Sequence, residues 1–238
     1  MPKSALASLA GRLVVSVQAD AGSPLRDVGH IRALAQCAVN GGAGGLRLQG
    51  ADDIAAMRTL TGLPIIGLTK THVPGSDVYI TPRAGLALAV VGAGADIVAI
   101  DATRRARAEP FSQIAQAVLA AGAEVLADIS DLDEARAAIA DGATMVATTL
   151  AGYAGDAPEA AGPDFALMRA LAAAGIPFLA EGRISSPEQA RRALELGAHA
   201  VIVGSAITRP DVVTRWYADA VAAARISGAV RRSHPLGP

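Results

Sequence analysis

The stretch PFLAEGRISSPEQARRALELGAHAVIVGSAITR, residues 177–209, contains two short apolar runs separated by an amphipathic helical pattern. Each run ends where a glycine stands beside a polar residue, at Glu181-Gly182 and at Gly204-Ser205. Buried parallel strands joined by a helix have this pattern, and their carboxyl ends lie at the same edge of the sheet. We therefore predict that the two dipeptides lie side by side on one rim.

The same alternation of apolar runs and alanine-rich helical patterns continues through the chain. The eight predicted strands are residues 13–17, 45–49, 64–69, 96–101, 124–129, 145–150, 177–182 and 200–204. A glycine, usually followed by alanine, precedes most of these runs, which is typical of a turn that ends a helix and leads into a buried strand. Eight such units in 238 residues predict a single-domain (β/α)8 TIM barrel of the α/β class, since such barrels typically have about 250 residues.

We place the barrel domain at residues 1–225 and a poorly ordered tail at residues 226–238. An open doubly wound sheet is the alternative architecture, but its Gly-x-Gly-x-x-Gly fingerprint is missing after the first predicted strand. Cys37 lies in an apolar helical pattern and is expected in the core. Trp216, on a last helix predicted at residues 211–224, is expected to cover the outside of the barrel.

Composition and charge argue against several classes of function. The net charge of −1 lacks the basic surplus of a nucleic-acid-binding protein. One cysteine and four scattered histidines offer no metal-ligand spacing, so we expect no metal and no cofactor. The longest apolar run, residues 84–100, is broken by Gly92, Gly94 and Asp96, which favours a helix end followed by a strand over a membrane span.

The amino terminus loosely resembles a secretory signal, because Lys3 is followed by small apolar residues. However, Arg12 interrupts that apolar region, and cleavage after Ala19 would remove the first predicted strand. We therefore expect a soluble, cytoplasmic protein that does not associate with membranes.

Polar side chains gather at the carboxyl ends of the predicted strands, where barrels of this kind build their active sites. These rim residues are Gln18, Arg47, Lys70, Asp101, Asp128, Thr148, Thr149, Glu181, Gly204 and Ser205. The strand interiors are almost wholly apolar, so the cost of removing charge from water is concentrated at this rim. The convergence of these residues predicts a functional site.

Each rim residue also has a structural interpretation when taken alone. Lys70 could be a solvated loop charge, and Glu181 could be the ion-pair partner of an arginine. Asp101 and Asp128 could cap the helices that follow them. Arg47 alternates with two leucines, so it is expected to point into the barrel, where it must find a carboxylate.

The last two strand ends also suggest a phosphate site. TIM barrels often hold a phosphate group there, through backbone N–H groups and a short extra helix. Gly182 and Gly204-Ser205 permit close approach of the backbone, and Arg209 follows as a cation. A phosphorylated small molecule is therefore the leading ligand class, and the alternative is that both glycines only serve tight turns.

Nine short motifs follow one another between about Ser16 and Tyr217 with spacing that fits a barrel. They are SVQA (16–19), GAGGLR (42–47), PIIGLTK (64–70), VYITP (78–82), DATR (101–104), ADIS (127–130), TTLAGY (148–153), AEGRI (180–184) and VGSAITRP (203–210). Together this ordered set resembles the N-acylglucosamine-6-phosphate 2-epimerases, the NanE family. The resemblance implies an isomerase that interconverts N-acetylmannosamine 6-phosphate and N-acetylglucosamine 6-phosphate, a step in the bacterial use of sialic acid and mannosamine.

The resemblance also implies roles for the residues that match the family motifs. Lys70 and Glu181 correspond to the catalytic pair. The implied substrate-binding residues are Gln18, Arg47 and Asp128 for the sugar and Gly182, Gly204, Ser205 and Arg209 for the phosphate. The implied partners are a phosphorylated N-acetylhexosamine substrate and, by the same analogy, a second copy of the chain in a homodimer.

A mechanism can be written for this reaction. In the open-chain sugar C2 lies beside the C1 aldehyde, so loss of its proton gives an enolate. We expect neutral Lys70 to take that proton at one face and protonated Glu181 to return one at the other face. One-base and substrate-assisted routes stay open. The alternative functions are a class I aldolase, in which Lys70 forms a Schiff base, and a non-catalytic barrel that binds a sugar phosphate.

Overall fold

Eight strands alternate with helices along the residues that the computed structural model describes, which are 4–153 and 162–231. The strands are β1 (Leu13–Val17), β2 (Gly45–Gln49), β3 (Ile65–Leu68), β4 (Ile97–Asp101), β5 (Glu124–Asp128), β6 (Met145–Ala147), β7 (Phe178–Ala180) and β8 (Ala200–Val203). The helices are α1 (Ala5–Ser8), α2 (Val28–Asn40), α3 (Ala51–Arg58), α4 (Ala84–Gly92), α5 (Phe111–Ala120), α6 (Leu132–Ala140), α7 (Phe165–Ala173), α8 (Pro187–Glu195), α9 (Ser205–Thr208) and α10 (Pro210–Arg231). The strands pair in parallel in chain order, and β8 pairs with β1. The predicted (β/α)8 TIM barrel is therefore confirmed, and the open-sheet alternative is wrong.

Local sequence signals set the helix boundaries. The Asp131 side chain caps α6 by accepting a hydrogen bond from the N–H of Glu134, and Ser186 caps α8, whose first residue is Pro187. The glycines that adopt a positive φ just before a strand are Gly42, Gly94, Gly122, Gly142, Gly175 and Gly197. Glycine reaches this left-handed conformation without steric cost, so these helices end there and the chain turns into the next strand.

Apolar side chains fill two layers of core, one inside the barrel and one between the strands and the helices. Inside the barrel, Ile66, Leu126 and Ile202 are at most 1% exposed. In the outer layer, helix residues such as Ile114 and Met168 pack against the opposite faces of the strands. Close packing on both faces makes the strands a rigid frame, and this frame positions the polar side chains at the strand ends.

A short amino-terminal helix closes the barrel at the end opposite to the rim. Leu6 on α1 and the following Leu9 are buried in the inner core. The N–H of Leu6 donates to the Glu124 carboxylate at 2.8 Å, and the Leu6 carbonyl oxygen lies 2.9 Å from Nε2 of His199. Glu124 begins β5 and His199 precedes β8, so α1 is attached to the amino ends of two strands. The apolar residues that resemble a secretory signal thus form the floor of the barrel.

Two local predictions are wrong. The sixth strand ends at Ala147 rather than at residue 150, and the chain continues as a 3-10 helix over Thr148–Leu150. Cys37 is exposed rather than buried, because the face of α2 that packs on the barrel carries Ile31 and Ala35. The apolar pattern of α2 predicted the helix correctly but not which of its faces would be buried.

The carboxyl-terminal helix is longer than predicted. It begins at Pro210 and continues to Arg231, past the expected end at residue 224 and past the proposed domain boundary at residue 225. Residues 232–238 of the predicted tail lie outside the described residues, so the boundary between domain and tail stays a prediction. The apolar run at residues 84–100 forms α4 and β4, as expected. None of the described helices combines the length and the apolar character that a membrane span requires.

Candidate active site

The carboxyl ends of the strands surround an open cavity of about 790 Å³. The predicted site residues that line it are Gln18, Arg47, Lys70, Glu181, Gly182, Gly204, Ser205 and Arg209. Asp128 is completely buried and contacts the site through Arg47. The structure therefore places in or beside one cavity all the residues that were predicted to form the catalytic pair or to bind the substrate; their roles stay predictions.

Arg47 lies at the centre of an ion cluster inside the barrel. Its flanking leucines belong to the outer core, so Arg47 itself points inward, where it is 1% exposed. Its Nη1 and Nη2 donate to the two carboxylate oxygens of Asp128 at 3.1 and 2.7 Å. Nη1 also lies 2.8 Å from Oε2 of Glu181. Burial lowers the pKa of Arg47, but the two carboxylates together raise it above its ordinary value, so Arg47 stays charged.

Glu181 both contacts Arg47 and lines the cavity, which answers the question that the sequence left open. Two threonines from the 3-10 helix after β6 hold it. Thr148 Oγ1 donates to the Glu181 carbonyl oxygen at 2.7 Å and accepts from the Glu181 N–H at 3.0 Å. Thr149 Oγ1 lies 2.9 Å from Glu181 Oε2. Burial and Asp128 raise the pKa of the Glu181 carboxyl, while Arg47 opposes that shift. The protonated form of Glu181 is therefore favoured relative to a carboxyl in water.

Lys70 follows β3 at the mouth of the same cavity, where it pairs with Ile80 in an isolated antiparallel bridge. Solvent reaches the side chain through the open cavity. Partial burial by the surrounding protein nevertheless lowers the pKa of the Lys70 ammonium, and the positive charge of Arg47 lowers it further. Asp20 and Glu181 oppose this shift. Lys70 is therefore moved toward its neutral form, the form that can accept a proton.

Gln18 has a fixed side-chain amide with one unpaired oxygen. Its Nε2 donates to Ser16 Oγ at 2.8 Å, which fixes the orientation of the amide. Its Oε1 is buried and has no hydrogen-bond partner among the residues that the structure describes. A buried carbonyl oxygen without a donor is costly, so this atom is available to accept a hydrogen bond from a bound molecule.

The predicted phosphate residues all line the cavity, and Gly182 and Gly204-Ser205 follow the neighbouring strands β7 and β8. Gly182 has a φ of 107°, and a Cβ there would lie 3.4 Å from the Thr148 carbonyl oxygen, so the turn after β7 favours glycine. Ser205 begins α9 directly after β8. Arg209 reaches the cavity, but its guanidinium already contacts Asp20 and Asp211, each at 2.9 Å. A bound anion would have to compete with these carboxylates for Arg209.

Asp101 and Asp128 do not cap the helices that follow them, because Pro110 precedes α5 and Asp131 caps α6. Asp101 instead holds the loop after β4. It is completely buried beside Asp128 in the strand register and accepts hydrogen bonds from the N–H and the hydroxyl of Thr103. Arg105 Nη2 lies 2.6 Å from its other oxygen. Among the described residues, no group of three histidine, cysteine, aspartate or glutamate side chains is arranged to hold a metal ion.

The sequence did not assign Tyr79, Arg183 or Trp216 to the cavity, and all three line it. Tyr79 stacks on His72 with 5.9 Å between ring centres, and burial raises the pKa of its hydroxyl. Tyr79 could have been found, because it stands inside the VYITP motif. Trp216 was expected to cover the outside of the barrel; it is 43% exposed and also lines the cavity, which that expectation did not include.

Residues 31–223 match the family model NanE, described as "Putative N-acetylmannosamine-6-phosphate epimerase". Over 91% of its length the chain is 43% identical to the "Putative N-acetylmannosamine-6-phosphate 2-epimerase" of Cutibacterium acnes and covers 96% of that protein. It is 44% identical, again over 91% of its length, to the "Bifunctional enzyme NanE/NanK" of Brucella melitensis biotype 1. The chain spans 42% of the length of that bifunctional relative.

A solved structure extends this similarity to three dimensions. The N-acetylmannosamine-6-phosphate 2-epimerase from Clostridium perfringens superposes with a TM-score of 0.87 at 37% identity. The alignment covers 90% of this chain and 95% of the other. Fold and sequence therefore agree over nearly the whole barrel.

Proposed function

The chain belongs to the NanE family of N-acetylmannosamine-6-phosphate epimerases, and we propose that it interconverts N-acetylmannosamine 6-phosphate and N-acetylglucosamine 6-phosphate. It is thus an enzyme of the isomerase class. The observation that carries the proposal is the pair of oppositely shifted groups in one cavity. The pKa of Lys70 is lowered and that of Glu181 is raised. A base that is easily neutral and an acid that is easily protonated are what a two-sided proton exchange at C2 requires.

The proposed reaction begins with the open-chain sugar in the cavity. Lys70 removes the C2 proton and becomes an ammonium, which leaves an enolate across C1 and C2. Glu181 then donates its proton to the opposite face of C2 and becomes a carboxylate. The reverse reaction exchanges the two roles. One proton leaves C2 and one returns, so the step balances with this chain's own side chains.

Arg47 is the leading candidate to stabilise the enolate oxygen. It lines the cavity, and its Nε has no hydrogen-bond partner among the described residues although it is buried. The contacts with Asp128 and Glu181 use three of the five guanidinium N–H groups, which leaves Nε–H and one N–H of Nη2 as donors for a substrate oxygen. The rigid bidentate contact with Asp128 means that these donors would need little reorganisation as charge develops on the sugar.

The phosphate end of the substrate is proposed to lie against Gly182, Gly204 and Ser205. Backbone N–H groups at these turns can approach an anion closely. Arg209 would contribute by exchanging Asp20 or Asp211 for the phosphate, which favours a doubly charged group over a neutral sugar.

We also propose that the enzyme is a cytoplasmic homodimer. Ile207 on α9 and Trp216, Tyr217 and Val221 on α10 are large apolar residues that are between 43% and 72% exposed. An exposed group of this kind is typical of a surface that another chain covers. Size measurement by light scattering, with Tyr217→Glu as the disrupting variant, tests this arrangement. A monomeric wild type would contradict it.

Proton NMR of N-acetylmannosamine 6-phosphate with the enzyme in heavy water tests the function. We expect conversion to N-acetylglucosamine 6-phosphate with deuterium at C2 of the product. Turnover without deuterium at C2 would refute the enolate mechanism. Thermal stabilisation by the sugar without turnover would instead support a binding protein. Borohydride treatment with substrate should leave Lys70 unmodified, since covalent trapping there would indicate the aldolase alternative.

A further inference from the structure

The hydroxyl group of Thr149 contacts two carboxyl groups at once. Its Oγ1 lies 2.6 Å from Oδ1 of Asp128 and 2.9 Å from Oε2 of Glu181. A threonine hydroxyl has one hydrogen to donate, and an ionised carboxylate can only accept. If both carboxyl groups were ionised, one of these short contacts would join two oxygens with no hydrogen between them. A second hydrogen in the chain of three oxygens gives each of the two short contacts its own hydrogen bond.

The surrounding contacts indicate which carboxyl group holds it. Asp128 is completely buried, and each of its two carboxyl oxygens accepts a hydrogen bond from an Nη atom of Arg47. Glu181 has one contact with Arg47, through the same Oε2 that faces Thr149. A protonated Oε2 can donate to Thr149 and still accept from Arg47. Asp128 accepts hydrogen bonds from Arg47 at both of its oxygens, whereas Glu181 contacts Arg47 through one oxygen, so Glu181 is the carboxyl group with fewer donors to hold it as an anion.

We propose that Thr149 is a positioning residue that holds a proton on Glu181: the Glu181 carboxyl donates to Thr149 Oγ1, and the Thr149 hydroxyl donates to the Asp128 carboxylate. This inference rests on the proposed epimerase function, because it names what keeps the catalytic acid in its acid form. When Glu181 gives its proton to C2, Thr149 can donate to only one of two carboxylates. The ionised acid is then the less stable state, which favours recovery of a proton in the reverse reaction.

The charged groups that face Glu181 come from three strands or strand ends. Burial and Asp128 of β5 favour the acid, whereas Arg47 of β2 and Lys70 after β3 favour the ionised carboxylate. A hydrogen bond donated by Thr149 to Glu181 would also favour the carboxylate, so the direction of this hydrogen bond decides the effect of Thr149. Thr149, after β6, carries no charge, so it can set the balance only through its single hydrogen. This is why its removal has a predictable sign. Without the hydroxyl, the protonated form of Glu181 loses the acceptor of its hydrogen bond.

The test is a direct titration of Glu181 by carbon-13 NMR. The enzyme is labelled only at glutamate side-chain carboxyl carbons, and the Glu181 signal is assigned by its loss in Glu181→Gln. We expect the wild type and Thr149→Ser to show a protonated Glu181 at neutral pH. In Thr149→Val, which keeps the branched shape and removes the hydroxyl, we expect the midpoint to fall by about one pH unit. The basic limb of kcat/KM should move to lower pH by the same amount.

An ionised Glu181 in the wild type at neutral pH would overturn the proposal, whatever the variants do. An unchanged or raised Glu181 titration midpoint in Thr149→Val would also overturn it. A Thr149 hydroxyl that donates to ionised Glu181 would lower the midpoint in the wild type, so its removal would raise it. The titration needs no substrate, so its outcome is separate from the outcome of the turnover experiment. Thermal unfolding of Thr149→Val verifies that this variant is folded. If the variant does not fold, the protonation state of Glu181 in the wild type decides whether the proposal stands.

Discussion

Replacing Arg47 by methionine tests the ion cluster most directly. Arg47 is 1% exposed, and its loss leaves Asp128 completely buried without the two hydrogen bonds that compensate its charge. Removing one partner of a buried ion pair costs about 3–5 kcal/mol in the free energy of unfolding. For a domain of this size we expect the melting temperature to fall by about 6–20 °C. Calorimetry at neutral pH measures this change.

The pH dependence of the Arg47→Met variant provides a second measurement. Burial already raises the pKa of Glu181, and Arg47 opposes that shift, so its removal raises the Glu181 pKa further. Between the unfolded and folded pKa values, the folded variant binds a proton that the unfolded chain has released. The variant therefore gains stability relative to wild type as the pH falls through the raised pKa, and the deficit shrinks.

Two further variants control this experiment. Arg136→Met breaks an exposed pair in which Arg136 and Asp133 are 60% and 69% exposed, so it should cost about 0.5 kcal/mol or less. The double variant Arg47→Met with Asp128→Leu removes both buried charges and should recover much of the lost stability while activity stays absent. If Arg47→Met lowers the free energy of unfolding no more than Arg136→Met does, Arg47 does not stabilise the buried Asp128 carboxylate as the structure indicates.

Three other predictions concern single side chains. Lys70→Met should lower kcat/KM by about 10²–10⁴. It should also remove the acid limb of the pH profile, because burial lowers the pKa of Lys70 and wild-type activity should rise as that ammonium loses its proton. Near wild-type turnover in Lys70→Met would exclude a catalytic lysine. Gly182→Ala and Gly175→Ala should both lose about 1–2 kcal/mol of stability, because both have positive φ, but only Gly182→Ala should raise the KM for the sugar phosphate. Thr148→Val should lower the free energy of unfolding, measured by urea denaturation, by about 1–3 kcal/mol, because it leaves the backbone N–H and C=O of Glu181 unpaired. It should also lower kcat. Thr148→Ser keeps the hydroxyl and should retain both the stability and the kcat of the wild type.

The barrel and its rim could be predicted because both depend on short-range patterns. Apolar runs of a few residues, each preceded by a glycine, indicate strands that follow helix-ending turns. The alternation around Arg47 was enough to place it inside the barrel and to predict a carboxylate partner, and Asp128 is that partner. Once eight parallel strands close, their polar ends must meet, so the membership of the site followed from topology.

Contacts across the barrel were beyond prediction from sequence. Both contacts of Thr149 depend on β6 ending at Ala147, whereas the strand predicted from the sequence continues to residue 150. Helix phase was equally hidden, because α2 carries alanine on its exposed face, at Ala33, as well as on its buried face, at Ala35. Trp216 shows the same limit, since its place at the cavity mouth depends on where α10 lies against the rim. In each case the deciding interaction joins residues far apart in the chain.

The floor of the barrel has a consequence for the order of folding. Leu6 is 118 positions from Glu124 and 193 positions from His199, the two residues that attach α1. Contacts of such long range require large loops to close and form slowly. The helix cannot dock until β5 and β8 have taken their places, so amide protons around Leu6 should acquire protection late in refolding. Although α1 precedes β5 and β8 in the chain, it is expected to dock onto the barrel after both strands have formed.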